Sequence, residues 1–454
     1  MNNGYEHTNQ LPDSAKAPRQ TNVEINENKS RKALLLGFHE QKGDLLTGEE
    51  SLNELKELAF TAGIEVLDFF MINLPHPDPG SYLRSGKIQE ITLLKEQKEI
   101  DLILLDAYLS PRQQKNLTEA WDCEVADRTA LILEIFAQRA RTKEGKLQVE
   151  LAQLNYLLPR LLGRGHEMSR LGGGIGTRGP GETKLEADRR RIRRRIGELQ
   201  QEIEEIKKQR TVLRKKRARN EIPVVALVGY TNAGKSTLLN KLTQADVLTE
   251  DKLFATLDPT TRRLKFAQQE MLFTDTVGFI HKLPHQLVSA FRATLEEIMY
   301  ADLLLHVADA GNPVCEAHIQ AVRQVLESIG ANEKPVILVL NKKDTVKDPI
   351  ELANTLQLNK PALAISALQG DNMDELLELV VENLPKQYRT VTLSIPYGQS
   401  ALINNLFEKA QVQRIEYRDE TIVCSACLSE QLLSLVRPYI EEGGGNENRS
   451  EDDQ

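Results

Sequence analysis

Cysteine is scarce: four residues in a chain of 454. So few over such a length exclude a disulfide framework. Long apolar runs are missing as well, and none approaches the about 18–20 residues that carry a helix across a bilayer. The segment from Met1 to Thr8 has no basic stretch followed by an apolar one, so no secretory signal is expected. These absences predict a cytoplasmic protein with no membrane span. An excess of positive charge is lacking too: the formal net charge is −8. That excludes indiscriminate nucleic-acid binding by the whole surface but allows a local basic patch. The length suggests roughly three domains.

Both ends, residues 1–30 and 441–454, are polar and expected to be disordered. From 31 to 127, short apolar strands at 33–37, 65–72 and 101–105 alternate with helical spacing at 51–62, 86–98 and 111–121. That alternation predicts a small parallel sheet covered on both faces, an N-terminal α/β domain without a catalytic constellation. Ser85, Gly86 and Lys87 read as a solvated loop.

Residues 128–162 read as one long helical stretch, with Leu147, Leu151, Leu154, Leu158 and Leu161 forming a seam. A second seam runs through Ile192, Ile196, Leu199, Ile203, Ile206 and Leu213. Between them lies a glycine-rich segment, 163–182, bearing Arg164, Arg170 and Arg178. A helical hairpin over 128–220 with a glycine-rich tip follows. Residues 189–195 hold six arginines, which glutamates do not balance by count, and RNA contact is expected there.

The GTPase domain is expected over 221–386. Gly229, Tyr230, Thr231, Asn232, Ala233, Gly234, Lys235 and Ser236 fit G-x-x-x-x-G-K-[ST], between a strand-like run at 223–228 and a helical one at 237–242. That setting aims backbone N–H groups and a helix dipole at a phosphate. Lys235 adds a point charge, and the Ser236 hydroxyl a ligand for Mg²⁺. Phe254, Ala255, Thr256, Leu257 and Asp258 open a turn-rich stretch placed as a switch loop. Spacing does not choose among Thr256, Thr260 and Thr261 as its metal ligand. Asp275, Thr276, Val277 and Gly278 follow a strand, with Asp275 toward Mg²⁺ and the Gly278 N–H toward the γ-phosphate.

Asn341, Lys342, Lys343 and Asp344 select the base, because a carboxylate accepts from guanine N1–H and the 2-amino group. Asn341 either serves guanine or holds neighbouring loops. Ser366, Ala367 and Leu368 offer a backbone N–H to the guanine oxygen. His306 reads as a core residue. Phe279 stands where many GTPases place a glutamine that orients water, so no catalytic residue is identified here, and a partner or K⁺ held near Asn232 is an alternative source of stimulation.

Together these motifs make the chain resemble the HflX family of translational GTPases over about residues 31–385. The resemblance rests on the glycine-rich run from Arg170 to Glu186, on Gly229 to Thr237, on Phe254 to Asp258 and on Asp275 to Phe279. It implies an α/β fold: a Ras-like P-loop GTPase domain preceded by a small α/β domain with a long helical hairpin. It puts the second Mg²⁺ ligand, beside Ser236, on Thr256. It implies hydrolysis of GTP, binding to the large ribosomal subunit and its rRNA, and splitting of stalled or idle ribosomes under stress. A checkpoint in large-subunit biogenesis, or an RNA-binding scaffold with structural GTP, are the competing expectations, and a monomer is expected. Residues 387–440 predict a small α+β domain, with a strand at 390–395, a helix at 400–411, a hairpin across 418–420 and a last helix at 428–436. Its Cys424 and Cys427 have no partner pair for a metal.

Overall fold

The computed structural model describes residues 31–39, 45–161, 180–219, 222–243, 253–266, 269–282, 292–384, 388–399, 402–403, 406 and 410–441. The expected disordered ends apart from Glu441, residues 163–179 of the glycine-rich tip with Arg164, Arg170 and Arg178, and most of the helix expected at 400–411 lie outside them.

The first sheet has the order β2-β1-β3-β4, with β1 (Lys32–Phe38), β2 (Glu65–Ile72), β3 (Leu102–Leu105) and β4 (Glu124–Asp127) all parallel. Alternation decides its two faces. Ala33, Leu35, Leu102 and Leu104 pack toward α1 (Gly48–Thr61) and α4 (Arg128–Arg139). Leu34, Leu36, Ile103 and Leu105 pack toward α2 (Ser85–Lys98) and α3 (Pro111–Trp121). The sheet covered on both faces is as expected; β4 was missed, because Glu124 and Asp127 leave it only Val125 and Ala126 as an apolar signal, whereas the equally short β3 is wholly apolar.

The single helical stretch expected at 128–162 is instead two helices. Ala140 leaves α4 in an extended conformation, and α5 (Lys143–Arg160) begins behind Thr142, whose hydroxyl accepts from Gly145 N at 3.0 Å. A side-chain cap at this point competes with continuation of the helix. α5 packs on α6 (Pro180–Arg219). The two helices meet, but among the seam residues whose burial is described only Leu147 and Leu199 are buried.

The second sheet has the order β10-β9-β8-β5-β7-β6. β5 (Val224–Gly229), β7 (Gln269–Asp275), β8 (Leu303–Asp309), β9 (Val336–Asn341) and β10 (Ala362–Ala364) are parallel, and β6 (Thr260–Phe266) runs antiparallel to β7. Around it lie α7 (Lys235–Thr243), α8 (Arg292–Tyr300), α9 (Cys315–Ser328), α10 (Pro349–Leu358) and α11 (Met373–Asn383). One apolar core runs from the first sheet through Phe136 and Tyr156 into Tyr230, Phe254, Phe279 and Leu304. The helical pair and the nucleotide-type sheet therefore share buried surface.

A third, antiparallel sheet combines β11 (Tyr388–Pro396), β12 (Gln411–Tyr417) and β13 (Thr421–Ser429) in the order β11-β13-β12. β13 continues through Ser429, so α12 (Glu430–Val436) starts later than its sequence pattern suggests. Cys424 is buried in this sheet's own core, and burial pushes its thiol up.

Candidate active site

β5 delivers the chain edge-on to the β8 backbone, and Gly229 is the residue that allows it: a Cβ there would collide with the Val307 carbonyl. Gly234 has φ +89° and lies against the Asn341 amide, where a Cβ would again collide. Asn232 takes φ +59° between them. Lys235 opens α7 with its side chain buried, its Nζ donating to the carbonyls of Gly229 (3.1 Å) and Tyr230 (2.8 Å). Burial pulls this amine down to about 8, opposed by the Asp275 charge. A buried cation with two backbone acceptors is the arrangement a phosphate would complete. Thr231, Asn232, Gly234, Lys235, Ser236, Phe254, Ala255, Thr256, Thr276 and Gly278 line one pocket.

Three oxygens converge at its rim. Ser236 Oγ lies 2.8 Å from Thr256 Oγ1 and donates to Asp275 Oδ2 at 2.6 Å. Asp275 Oδ1 is buried with no hydrogen-bond partner among the described residues. Burial pushes this carboxyl up, with Lys235 opposing. An orphaned carboxylate oxygen beside two hydroxyls fits a hard cation that keeps part of its water, as Mg²⁺ does. Bound there, Mg²⁺ would neutralise phosphate charge. Thr260 and Thr261 do not line the pocket: they stand on β6, where the Thr261 hydroxyl lies 3.0 Å from that of Thr274.

The residues after Asp275 are sewn to the phosphate loop. Phe279 N donates to Gly229 O at 3.0 Å, and Thr231 N to Phe279 O at 2.8 Å. Gly278 is thereby pressed against Thr231 and the Lys235 amine. The Phe279 ring turns into the core and is 2% exposed. Nothing polar is offered to a water from this position. The Thr231 hydroxyl is buried without a hydrogen bond among the described residues.

Asn341 ends β9 and holds loops together: Nδ2 donates to Ala233 O at 2.9 Å, and Oδ1 accepts from Ala367 N at 3.0 Å. Of the two roles left open by the sequence, this one is occupied. Lys342 pairs with Asp309 at 2.7 Å and Lys343 with Asp371 at 3.2 Å. Asp344 is exposed on the turn that follows. Ser366 is buried, and Leu368 stands at the surface. His306 is a core residue, held neutral by burial that pulls it down to about 3.

Two of the sequence-derived residues point elsewhere. Leu257 is buried in the shared core. Asp258 accepts from Arg141 N (2.9 Å), Thr142 N (2.8 Å) and Thr142 Oγ1 (2.5 Å), at the start of α5. The sequence also gave no sign of Glu54, which reaches the Tyr230 hydroxyl from α1. Its available signal was a carboxylate falling among the buried positions Ser51, Leu52, Leu55 and Leu58 of that helix.

The arginines of α6 are partly balanced, contrary to the count of glutamates. Arg195 makes a two-pronged pair with Glu150 of α5 (2.8 and 3.0 Å), Arg189 meets Glu186 at 3.7 Å and Arg191 meets Asp188 at 4.0 Å. The missing partners came from the facing helix and from one turn earlier. Arg190, Arg193 and Arg194 are exposed and have no ion pair among the described residues.

A mostly parallel sheet with a G-x-x-x-x-G-K-S loop at its centre, a serine–threonine–aspartate cluster and an N-K-x-D turn after β9 make this a Ras-like P-loop GTPase. Its relatives agree. The family described as 50S ribosome-binding GTPase matches residues 224–342, and the GTP-binding GTPase N-terminal and middle regions match 49–137 and 139–217. GTPase HflX of Caldanaerobacter subterraneus subsp. tengcongensis is 48% identical over 393 residues, 86% of this chain and 90% of that one. GTPase HflX of Escherichia coli K12 is 44% identical over 373 residues, 82% and 87% of the two chains. A GTP-binding protein of Sulfolobus solfataricus solved with GDP is 28% identical, covering 78% of this chain and 98% of that one, with a TM-score of 0.42. The chain belongs to the HflX family of GTPases and hydrolyses GTP.

Proposed function

We propose that this GTPase binds the large ribosomal subunit in its GTP form and separates stalled or idle ribosomes under stress. The observation that carries the reading is the triplet Arg190, Arg193 and Arg194, exposed and without an ion pair among the described residues, on an otherwise acidic protein. Guanidinium forks left open on a helix suit the phosphates of rRNA. Membership of residues 224–342 in a family of 50S ribosome-binding GTPases supports the same partner. The reading takes the protein to be a cytoplasmic monomer; among the described residues no helix is long and apolar enough to cross a membrane.

In this reading Ser236 and Thr256 hold Mg²⁺ and Asp275 holds its water, while Asp344 and the 366–368 turn read guanine. Because Phe279 is sealed in the core, the attacking water is oriented by the bound ribosome. K⁺ at the exposed Asn232 would add positive charge at the same place; equal turnover in K⁺ and Na⁺ removes that ion.

Sedimentation with ribosomes in GTP, GDP and no nucleotide tests the whole. Loss of intact ribosomes with GTP supports splitting, whereas accumulated precursor particles on depletion point to subunit assembly. Replacing Arg190, Arg193 and Arg194 by glutamine should weaken binding and flatten its salt dependence, by about one unit of slope per lost phosphate contact. An unchanged slope removes the triplet from the interface.

A further inference from the structure

The segment carrying Thr256 is held from outside the nucleotide pocket on both sides. Two residues before it, Phe254 adopts φ +55° and buries its ring edge-on against Phe136 of α4, with centroids 4.6 Å apart. Two residues after it, the Asp258 carboxylate takes three hydrogen bonds from Arg141 and Thr142, the residues that launch α5. Gly145 lies so close that a Cβ on it would strike Asp258 Oδ1. A carboxylate there also meets the positive end of the α5 dipole. Between these anchors Thr256 presents its hydroxyl to Ser236 at 2.8 Å.

We propose that Asp258, clamped on Thr142, is the positioning residue that sets Thr256 for Mg²⁺ and the triphosphate. It makes the junction between α4 and α5 part of the nucleotide switch. Asp258 does not touch the ligand; it acts through Thr256. Closing of Thr256 over the metal and seating of the α5 start become one equilibrium, so each biases the other by the same factor. α5 packs against the arginine-bearing α6, through Glu150 and Arg195 among others, so the clamp lies on a path from the γ-phosphate to that surface. This inference rests on the reading of Thr256 as metal ligand.

The test uses the full chain without ribosomes. Affinities for a non-hydrolysable GTP analogue and for GDP are measured at fixed Mg²⁺ in wild type, Asp258→Ala, Thr142→Val, the double variant, Thr142→Ser and Thr256→Ala. Asp258→Ala and Thr142→Val should each weaken the analogue about tenfold, the scale of a charge-assisted hydrogen bond. GDP should change less than about twofold, the double variant should be no worse than Asp258→Ala, and Thr142→Ser should restore wild-type binding. Equal losses for both nucleotides, additive losses, or no loss would overturn the proposal. If Thr256→Ala leaves the analogue unaffected, the metal assignment itself fails. If it weakens the analogue while the Asp258 and Thr142 variants do not, only the clamp fails. Should alanine at 258 unfold the protein, Asp258→Asn, which keeps one acceptor, must still weaken the analogue more than GDP.

Discussion

The hydroxyl of Tyr230, in the phosphate loop, donates to Glu54 Oε1 at 2.5 Å across 176 positions of sequence. The same hydroxyl accepts from His281 N at 2.7 Å. Burial and the neighbouring carboxylate raise the phenol well above its usual range, so it stays a donor. Glu54 in turn pairs with Arg128, whose Nη1 lies 2.7 Å from Asp106, and Ser51 closes the chain on Asp106 at 2.5 Å. A buried polar network thus joins the first sheet to the nucleotide loop.

Removing the cation from that network should cost most. Arg128→Met leaves Glu54 and Asp106 buried without it, and unfolding in urea should lose about 3–5 kcal/mol. Tyr230→Phe deletes one charge-assisted bond and should lose about 1.5–3 kcal/mol. The reverse order of the two losses would mean that the ion cluster is not what the tyrosine reports.

Gly234→Ala should abolish tight GTP binding, because an added Cβ meets the Asn341 side chain at φ +89°. Gly330 serves as the control: its φ is +77°, with nothing within 4 Å of an added Cβ. Gly330→Ala should show only backbone strain of about 1–2 kcal/mol in unfolding, with GTP affinity intact. Equal GTP affinities for the two variants would separate Gly234 from the site.

Asn341 and Asp344 should divide their roles. Asp344→Asn should leave stability unchanged, since the residue is exposed, yet lower GTP affinity at least about a hundredfold and favour xanthosine triphosphate, whose 2-oxo group accepts from the new amide. Asn341→Ala should instead destabilise the free protein by about 1–3 kcal/mol, because it orphans Ala233 O and Ala367 N. Competition between the two nucleotides and thermal unfolding read the difference.

Acid should loosen the fold partly through His318, which stacks on Tyr230 with ring centroids 3.7 Å apart. Burial pulls its pKa from 6.5 down to about 4, with Asp309 and Glu50 opposing. The unfolded chain therefore binds a proton that the native one refuses. The contribution is complete above pH 6.5 and is lost as pH falls toward 4, by at most about 3 kcal/mol. His318→Phe keeps the stack and should flatten the stability curve between those values. Parallel curves would place the effect elsewhere.

Legibility followed distance along the chain. Apolar strands at 33–37, 65–72 and 101–105 alternating with helical stretches gave a first sheet covered on both faces, and the glycine spacing from 229 to 234 gave the phosphate loop. The break at Thr142 was missed because its cap is one hydroxyl inside an otherwise helical pattern. The balance of the α6 arginines was misjudged because Glu150 faces them from another helix.

By itself the sequence determined which chemistry to expect of the loops: phosphate at Lys235, a metal at Ser236 and guanine at Asp344. Those functions depend on residue type and short spacing, which fix local backbone directions. Only the tertiary structure decided that Thr256 rather than Thr260 meets Ser236, that Asn341 binds loops together, and that Asp258 leaves the pocket for α5. The last two of these choices require partners more than a hundred residues apart to close on one another. No local pattern records which of several similar side chains will stand at the point of closure.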